Sequence, residues 1–209
     1  MLFDPATSDD WRPAYKLLTG AVVPRAIAFV STVSAAGVPN LAPFSFFTAV
    51  CANPPTILFC PMRAGEEGNK KDTLRNIEEM GDFVVNVVTE KLAEDMNRCA
   101  TDFPFGVSEF SEVGLTPAAS SVVRSPRVAE SPISMECKLR QVITVSEASG
   151  GGSVVLGEVV TFHVEDDLFD DFRVDLAKLA PIGRLAGSSY TRVNDLFEMT
   201  RVPYASLPK

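Results

Sequence analysis

Asn53-Pro54-Pro55 sets the length scale for this chain. A proline lacks a backbone donor and restricts the residue before it, so no helix and no central strand runs through such a triplet. The apolar runs on either side, ending at Ala52 and covering Thr56 to Pro61, are therefore separate elements. Upstream, Ala26 to Val33 is β-branched and apolar enough for a buried strand, and Gly37-Val38-Pro39 is a turn. The segment Ile27 to Cys60 reads as an antiparallel meander.

Within it, Asn40-Leu-Ala-Pro-Phe-Ser-Phe-Phe47 departs from a regular strand. Pro43 fits an edge or a bulge, and three Phe in four positions break the alternation of a half-buried strand. One reading is an irregular strand whose backbone and aromatic rings line a site for a flat ligand. The other is a buried hairpin with a proline bulge.

The remaining elements follow from punctuation. Tyr15 to Thr19 reads as a short helix ended by Gly20. Arg63 to Lys71 is a polar loop, and Asp72 to Met80 is a helix with Asp72 or Thr73 as its cap and Gly81 as its stop. Phe83 to Val88 is a strand, and Thr89 caps a second helix, Glu90 to Ala100. Thr101 to Ser121 is a long loop carrying Phe103, Phe105 and Phe110, a length typical of lids and interface elements. Arg127 to Val145 and Ser153 to Val164 are strands joined by the Gly150-Gly151-Gly152 tip. Asp166 to Asp175 is an acidic, solvated stretch, and Pro181 to Tyr190 is a glycine-bearing turn. The expected fold is mostly β: a Greek-key or meander barrel of six or seven strands with a few short helices, in one domain spanning 1–209.

Charge and motifs narrow the function. A net charge of −8 argues against nucleic acid or an anionic membrane as partner, and no apolar run reaches the ~20 residues of a membrane helix. The four cysteines are spread without a CxxC beside a single histidine, which is poor metal or disulfide arithmetic; reduced thiols in a cytoplasmic protein are expected. No strand-linked GxGxxG, GxxxxGK[ST], HExxH or GxSxG is present, so any chemistry here belongs to a cofactor and no side chain is assigned a catalytic role. Lys71-Asp72-Thr73 opens a helix, whose free amides and dipole suit a phosphate; a plain cap beside solvated lysines is the alternative. Ser31 and Thr32 either offer hydroxyls to a ligand or are ordinary strand polarity. His163 is read as a surface or interface histidine, facing away from Val160, Phe162 and Val164. Arg184 and Tyr190 belong either to a structural turn or to a ligand or subunit contact.

Taken in order, Tyr15-Lys-Leu-Leu-Thr, Pro24-Arg25, Val30-Ser-Thr32, Asn40 to Phe47, Asn53-Pro-Pro55, Lys71-Asp-Thr-Leu-Arg-Asn-Ile77, Phe83-Val-Val-Asn86, Glu109-Phe110, Gly157-Glu-Val159 and Gly183-Arg184-Leu185 resemble the flavin reductase-like family of FMN-binding split barrels. The resemblance spans roughly 15–192 and is nearest to flavoredoxin and the reductase components of two-component monooxygenases. Ala26 and Ala186 depart from it, standing where a second Pro and a Gly are usual.

The resemblance implies a split β-barrel that binds FMN. The isoalloxazine would lie against Pro43, Phe44, Ser45, Phe46 and Phe47, and the phosphate near Lys71, Asp72 and Thr73. Ser31 and Thr32 would lie toward the ribityl or phosphate end; Tyr190 joins the expected cofactor contacts on the ligand-contact reading of its turn. It implies hydride transfer from NAD(P)H to FMN, a homodimer, and delivery of reduced flavin to a monooxygenase or another acceptor. Two rivals remain at this point: an electron carrier reduced by a partner protein, and an FMN-binding barrel without turnover.

Overall fold

The computed structural model describes residues 2–65 and 67–206. Seven strands form one antiparallel sheet: β1 (Ala28–Val33), β2 (Pro39–Phe44), β3 (Phe47–Ala52), β4 (Pro55–Phe59), β5 (Asp82–Val87), β6 (Ile133–Ser146) and β7 (Gly152–Val164). Their spatial order is β2-β1-β5-β6-β7-β4-β3. The two outermost strands are therefore β2 and β3, which are separated in the chain by Ser45 and Phe46 alone. Two residues span less than 10 Å even when extended, so the sheet must curl until its edges meet. No ladder joins β2 to β3, and the barrel closes as a split one.

This differs from a continuous meander. β1 pairs with β2, and β3 pairs with β4, but the run Asn40 to Ala52 is two strands on opposite edges of the sheet. Pro43 sits on edge strand β2 opposite Phe29, where its missing N–H removes no second ladder. The bend after it, not a bulge within one strand, accommodates the Phe-rich run.

β1 is buried along nearly its whole length because the sheet is covered on both faces. Ala28 and Val30 point into the barrel with Phe44, Phe59, Phe83, Val85 and Val155. Ile27 and Phe29 point outward, into a second core with Leu41, Met96, Phe110 and Val128. Helix α2 (Asp72–Met80) sends Leu74 and Ile77 into the barrel core and stops at Gly81, whose φ of 75° is open to glycine. Helices α3 (Ala93–Arg98) and α4 (Glu109–Val113) cover the outer core through Met96 and Phe110.

Several boundaries shift from those expected. The first helix, α1, runs Arg12–Ala21, past Gly20. Glu90 to Ala100 splits into a 3-10 turn, Glu90–Leu92, and α3. The long loop after Thr101 contains α4 and a short strand at Pro117–Ala118, which pairs with Arg127–Val128. The acidic stretch forms a two-residue hairpin between Phe169–Asp170 and Arg173–Val174. The C-terminal glycine turn is a short hairpin of β8 (Ile182–Arg184) and β9 (Tyr190–Arg192).

Candidate functional site

Helix α2 starts without a side-chain cap. Its N-cap is Lys71, which has no acceptor to offer, while Asp72 and Thr73 are the first helical residues and not the cap. The amides of Leu74 and Arg75 fold back onto the Lys71 carbonyl at 3.0 and 3.2 Å. Among the described residues no acceptor takes the amide hydrogens of Asp72 and Thr73. Two free donors at the positive end of a nine-residue helix are suited to an oxyanion. They open into a cavity of about 380 Å³ that is also lined by Lys70, Lys71, Pro43 and Phe44.

The two lysines of this cavity are held unequally. Lys71 Nζ stands 3.5 Å from Asp102, whose side chain is 88% exposed, so the pair is weak and separable. Lys70 Nζ is held more closely, 2.6 Å from Glu78. Glu109 also lines the cavity; it is buried and accepts the Leu41 amide at 2.9 Å. Burial pushes its carboxyl above the ordinary value, against the Leu41 hydrogen bond.

A second cavity, about 260 Å³, lies on the other side of Pro43, and both linings include Pro43 and Ala100. Arg25 lines it. The side chain is buried, donating from Nη1 to the carbonyls of Thr19 (2.7 Å) and Val22 (2.8 Å) and from Nη2 to Leu185 (2.9 Å). Its Nε reaches Ser45 Oγ at 3.4 Å. Arg184 lies over the Tyr190 ring, 4.4 Å from its centroid, and donates to the Gly187 carbonyl. Tyr190 donates its hydroxyl to Asn97 Oδ1 at 3.3 Å.

The sequence-predicted residues are thus divided. Pro43, Phe44, Lys71, Asp72 and Thr73 meet in the first cavity, and Pro43, Ser45 and Tyr190 in the second. Phe46 turns to a separate apolar groove with Trp11, Tyr15 and Val145, and Phe47 packs against the barrel core. Ser31 and Thr32 line neither cavity. Ser31 donates to the Pro126 carbonyl, and Thr32 Oγ1 accepts from Asn40 and Asn76. Asn40 Nδ2 also reaches Thr73 Oγ1 at 3.0 Å, so Thr32 acts one residue back, fixing the group that fixes Thr73. His163 differs from a surface histidine: its Nε2 sits 2.6 Å from the fully buried Glu136, while Phe162 is the residue turned out to solvent.

The lining groups missed as site residues include Arg25, Glu109 and the segment from Cys99 to Phe103. Pro24-Arg25 and Glu109-Phe110 stood out as local patterns, but nothing local distinguishes a buried arginine from a solvated one. The segment after α3 carries no motif at all.

Comparison with known proteins gives a consistent pattern. The flavin reductase like domain matches residues 20–179. Nitrilotriacetate monooxygenase component B from Bacillus cereus is 39% identical, with a TM-score of 0.89 over 95% of this chain and 98% of that one. The 2-nitrobenzoate 2-nitroreductase of Pseudomonas fluorescens is 35% identical, with a TM-score of 0.87 over 100% of this chain and 99% of that one. A Shewanella frigidimarina protein with a split barrel domain shares the fold at a TM-score of 0.80, with 23% identity and coverage of 98% and 100%.

Proposed function

Because this chain belongs to the flavin reductase like domain family, we propose that it is an NAD(P)H-dependent FMN reductase, working as a cytoplasmic homodimer. The observation that carries this reading is the pair of cavities flanking Pro43. One offers free helix amides and a loosely held lysine; the other offers the rings of Pro43, Tyr15 and Tyr190 and two guanidinium groups.

The residues fit FMN. Asp72 and Thr73 would receive the phosphate on their amides, with Lys71 supplying charge and Thr73 held in place by Asn40. Pro43, Phe44, Ser45 and Tyr190 would orient the ring, and their apolar surface would keep water from it. Bound FMN would supply the redox chemistry, as the acceptor of a hydride from the nicotinamide. The chain's own work is position and electrostatics. Reduced flavin, or its electrons, would pass to a monooxygenase or another acceptor.

All four cysteines are unpaired, which suits a reducing compartment. Dimerisation is supported by apolar side chains that one copy leaves uncovered. Leu17, Leu18, Val50, Ile143 and Val145 are each more than 40% exposed, and Leu18 and Val145 share one apolar groove.

The test is anaerobic mixing of the FMN-loaded protein with NADH or NADPH. Bleaching of the flavin band with oxidation of the nucleotide is expected. Bound flavin that bleaches with dithionite but with neither nucleotide would overturn the reductase reading in favour of a carrier.

A further inference from the structure

The second cavity carries a charge imbalance that FMN binding alone does not explain. On a chain of net charge −8, its lining holds two arginines and, among the described residues, no carboxylate. Arg25 is only 6% exposed and, among the described residues, makes no ion pair; its partners are three carbonyls, the Ser45 hydroxyl and the face of the Phe46 ring. Arg184 likewise makes no ion pair among the described residues. Burial lowers the proton affinity of Arg25, Tyr15 offsets part of this, and the nearby charge of Arg184 lowers it further, so the two guanidiniums feel one another. A buried cation without a counter-ion is destabilising, and arrangements of this kind mark places where an anion arrives.

We propose that Arg25 and Arg184 form a receptor for the reduced, anionic form of the flavin ring, holding it more tightly than the neutral oxidised form. The proposal rests on the FMN reductase reading above and adds to it the assignment of the ring's charge to these two residues. The phosphate carries the same charge in both redox states, so Lys71 and the α2 amides cannot discriminate between them. Only groups facing the ring can. Arg25 is held rigidly by its carbonyl partners and Arg184 by the Tyr190 ring, so their positive field is in place before the ring's charge develops. Pro43, common to both cavities, would let one ligand reach from the α2 amides to the arginines.

The experiment compares the wild-type protein with Arg184→Gln and Arg184→Lys. It measures the midpoint potential of the bound flavin, and the affinity of the oxidised protein for FMN and for riboflavin. The wild type is expected to hold flavin at a potential above that of free FMN. In Arg184→Gln the preference for the reduced form should fall about tenfold, read as a potential about 30 mV more negative. Arg184→Lys should retain most of the wild-type potential, and oxidised FMN should bind all three proteins with nearly equal affinity. An unchanged potential in Arg184→Gln would overturn the proposal. So would equal loss of oxidised and reduced FMN, or a loss confined to FMN that spares riboflavin, which would place the phosphate here. A wild-type protein that binds FMN without raising its potential sinks this inference alone. One that binds no flavin sinks the reductase reading and this inference with it.

Discussion

Glu136 shows how a single buried charge can hold a loop. Its carboxylate is fully buried and accepts the amides of Ser121 and Val122 at 2.6 Å and Val123 at 3.0 Å, with the His163 ring 2.6 Å away. Burial opposes ionisation, but these donors outweigh it and bring the pKa from 4.5 down to about 2. A depressed carboxyl stabilises the fold above its unfolded pKa, and that stability is lost as pH falls from about 4.5 toward about 2. Glu136→Gln places an amide NH₂ among donors, so it should lose about 3 kcal/mol at pH 7 and flatten the acid limb; urea unfolding at pH 7 and at pH 3 checks both. Glu109 has the opposite sign. Its raised folded pKa means that the native state holds the extra proton, and stability declines as pH rises through the window above 4.5. Glu109→Gln keeps an acceptor for Leu41 and should remove that decline while tightening FMN at pH 8, measured by flavin titration. Lys71→Ala should weaken FMN about tenfold or more and leave riboflavin nearly unchanged; equal losses for the two ligands would place the phosphate elsewhere.

At the scale of elements, the barrel wall depends on one position without a side chain. Gly157 on β7 pairs with Ile57 and Leu139, and a Cβ added there would overlap the buried Phe83 ring. Phe83 is enclosed by Phe59 and the rest of the barrel core, so it has little room to move. Gly157→Ala is expected to destabilise by about 1–3 kcal/mol, read from the shift of the thermal transition. The strands themselves were legible in the sequence, because β-branched runs and Pro or Gly punctuation are local signals. What the sequence concealed was non-local. The break between β2 and β3 falls inside a continuous apolar run, and only the sheet order shows that Ser45 and Phe46 cross from one edge to the other. Ser31 looked available to a ligand, yet its hydroxyl is taken by Pro126, 95 residues away. Helix α4 has five residues, too few for a periodic pattern, and it buries Phe110 out of a stretch that read as a long lid or interface loop. The helix start that lines the first cavity was readable from Lys71-Asp72-Thr73, since a helix start is a local feature. The arginines of the second cavity were not.

For the whole molecule, the first consequence concerns assembly. Of the three Phe between Thr101 and Ser121, only Phe105 is largely exposed, so the case for a homodimer rests instead on α1 and the sheet. Val145→Asp is expected to shift the protein from dimer to monomer in light scattering at micromolar concentration, while Ser111, exposed on α4, should tolerate the same change. The second consequence follows from the two-residue link at Ser45 and Phe46. β4 finds its partner β7 about a hundred positions later in the chain, Ile57 against Gly157, and the sheet cannot curl closed before that pairing exists. The hairpins β1–β2 and β3–β4 can each form early, but they sit at opposite margins of an unfinished sheet. The link between them is a tether during folding, and its final geometry is among the last to be set. Refolding should therefore be slow, on the order of milliseconds to seconds as for other chains dominated by distant contacts. Mutations in the β4–β7 ladder and in the early β1–β2 turn should both slow refolding in stopped-flow experiments, whereas mutations at the Ser45–Phe46 link, whose geometry is set last, should chiefly hasten unfolding.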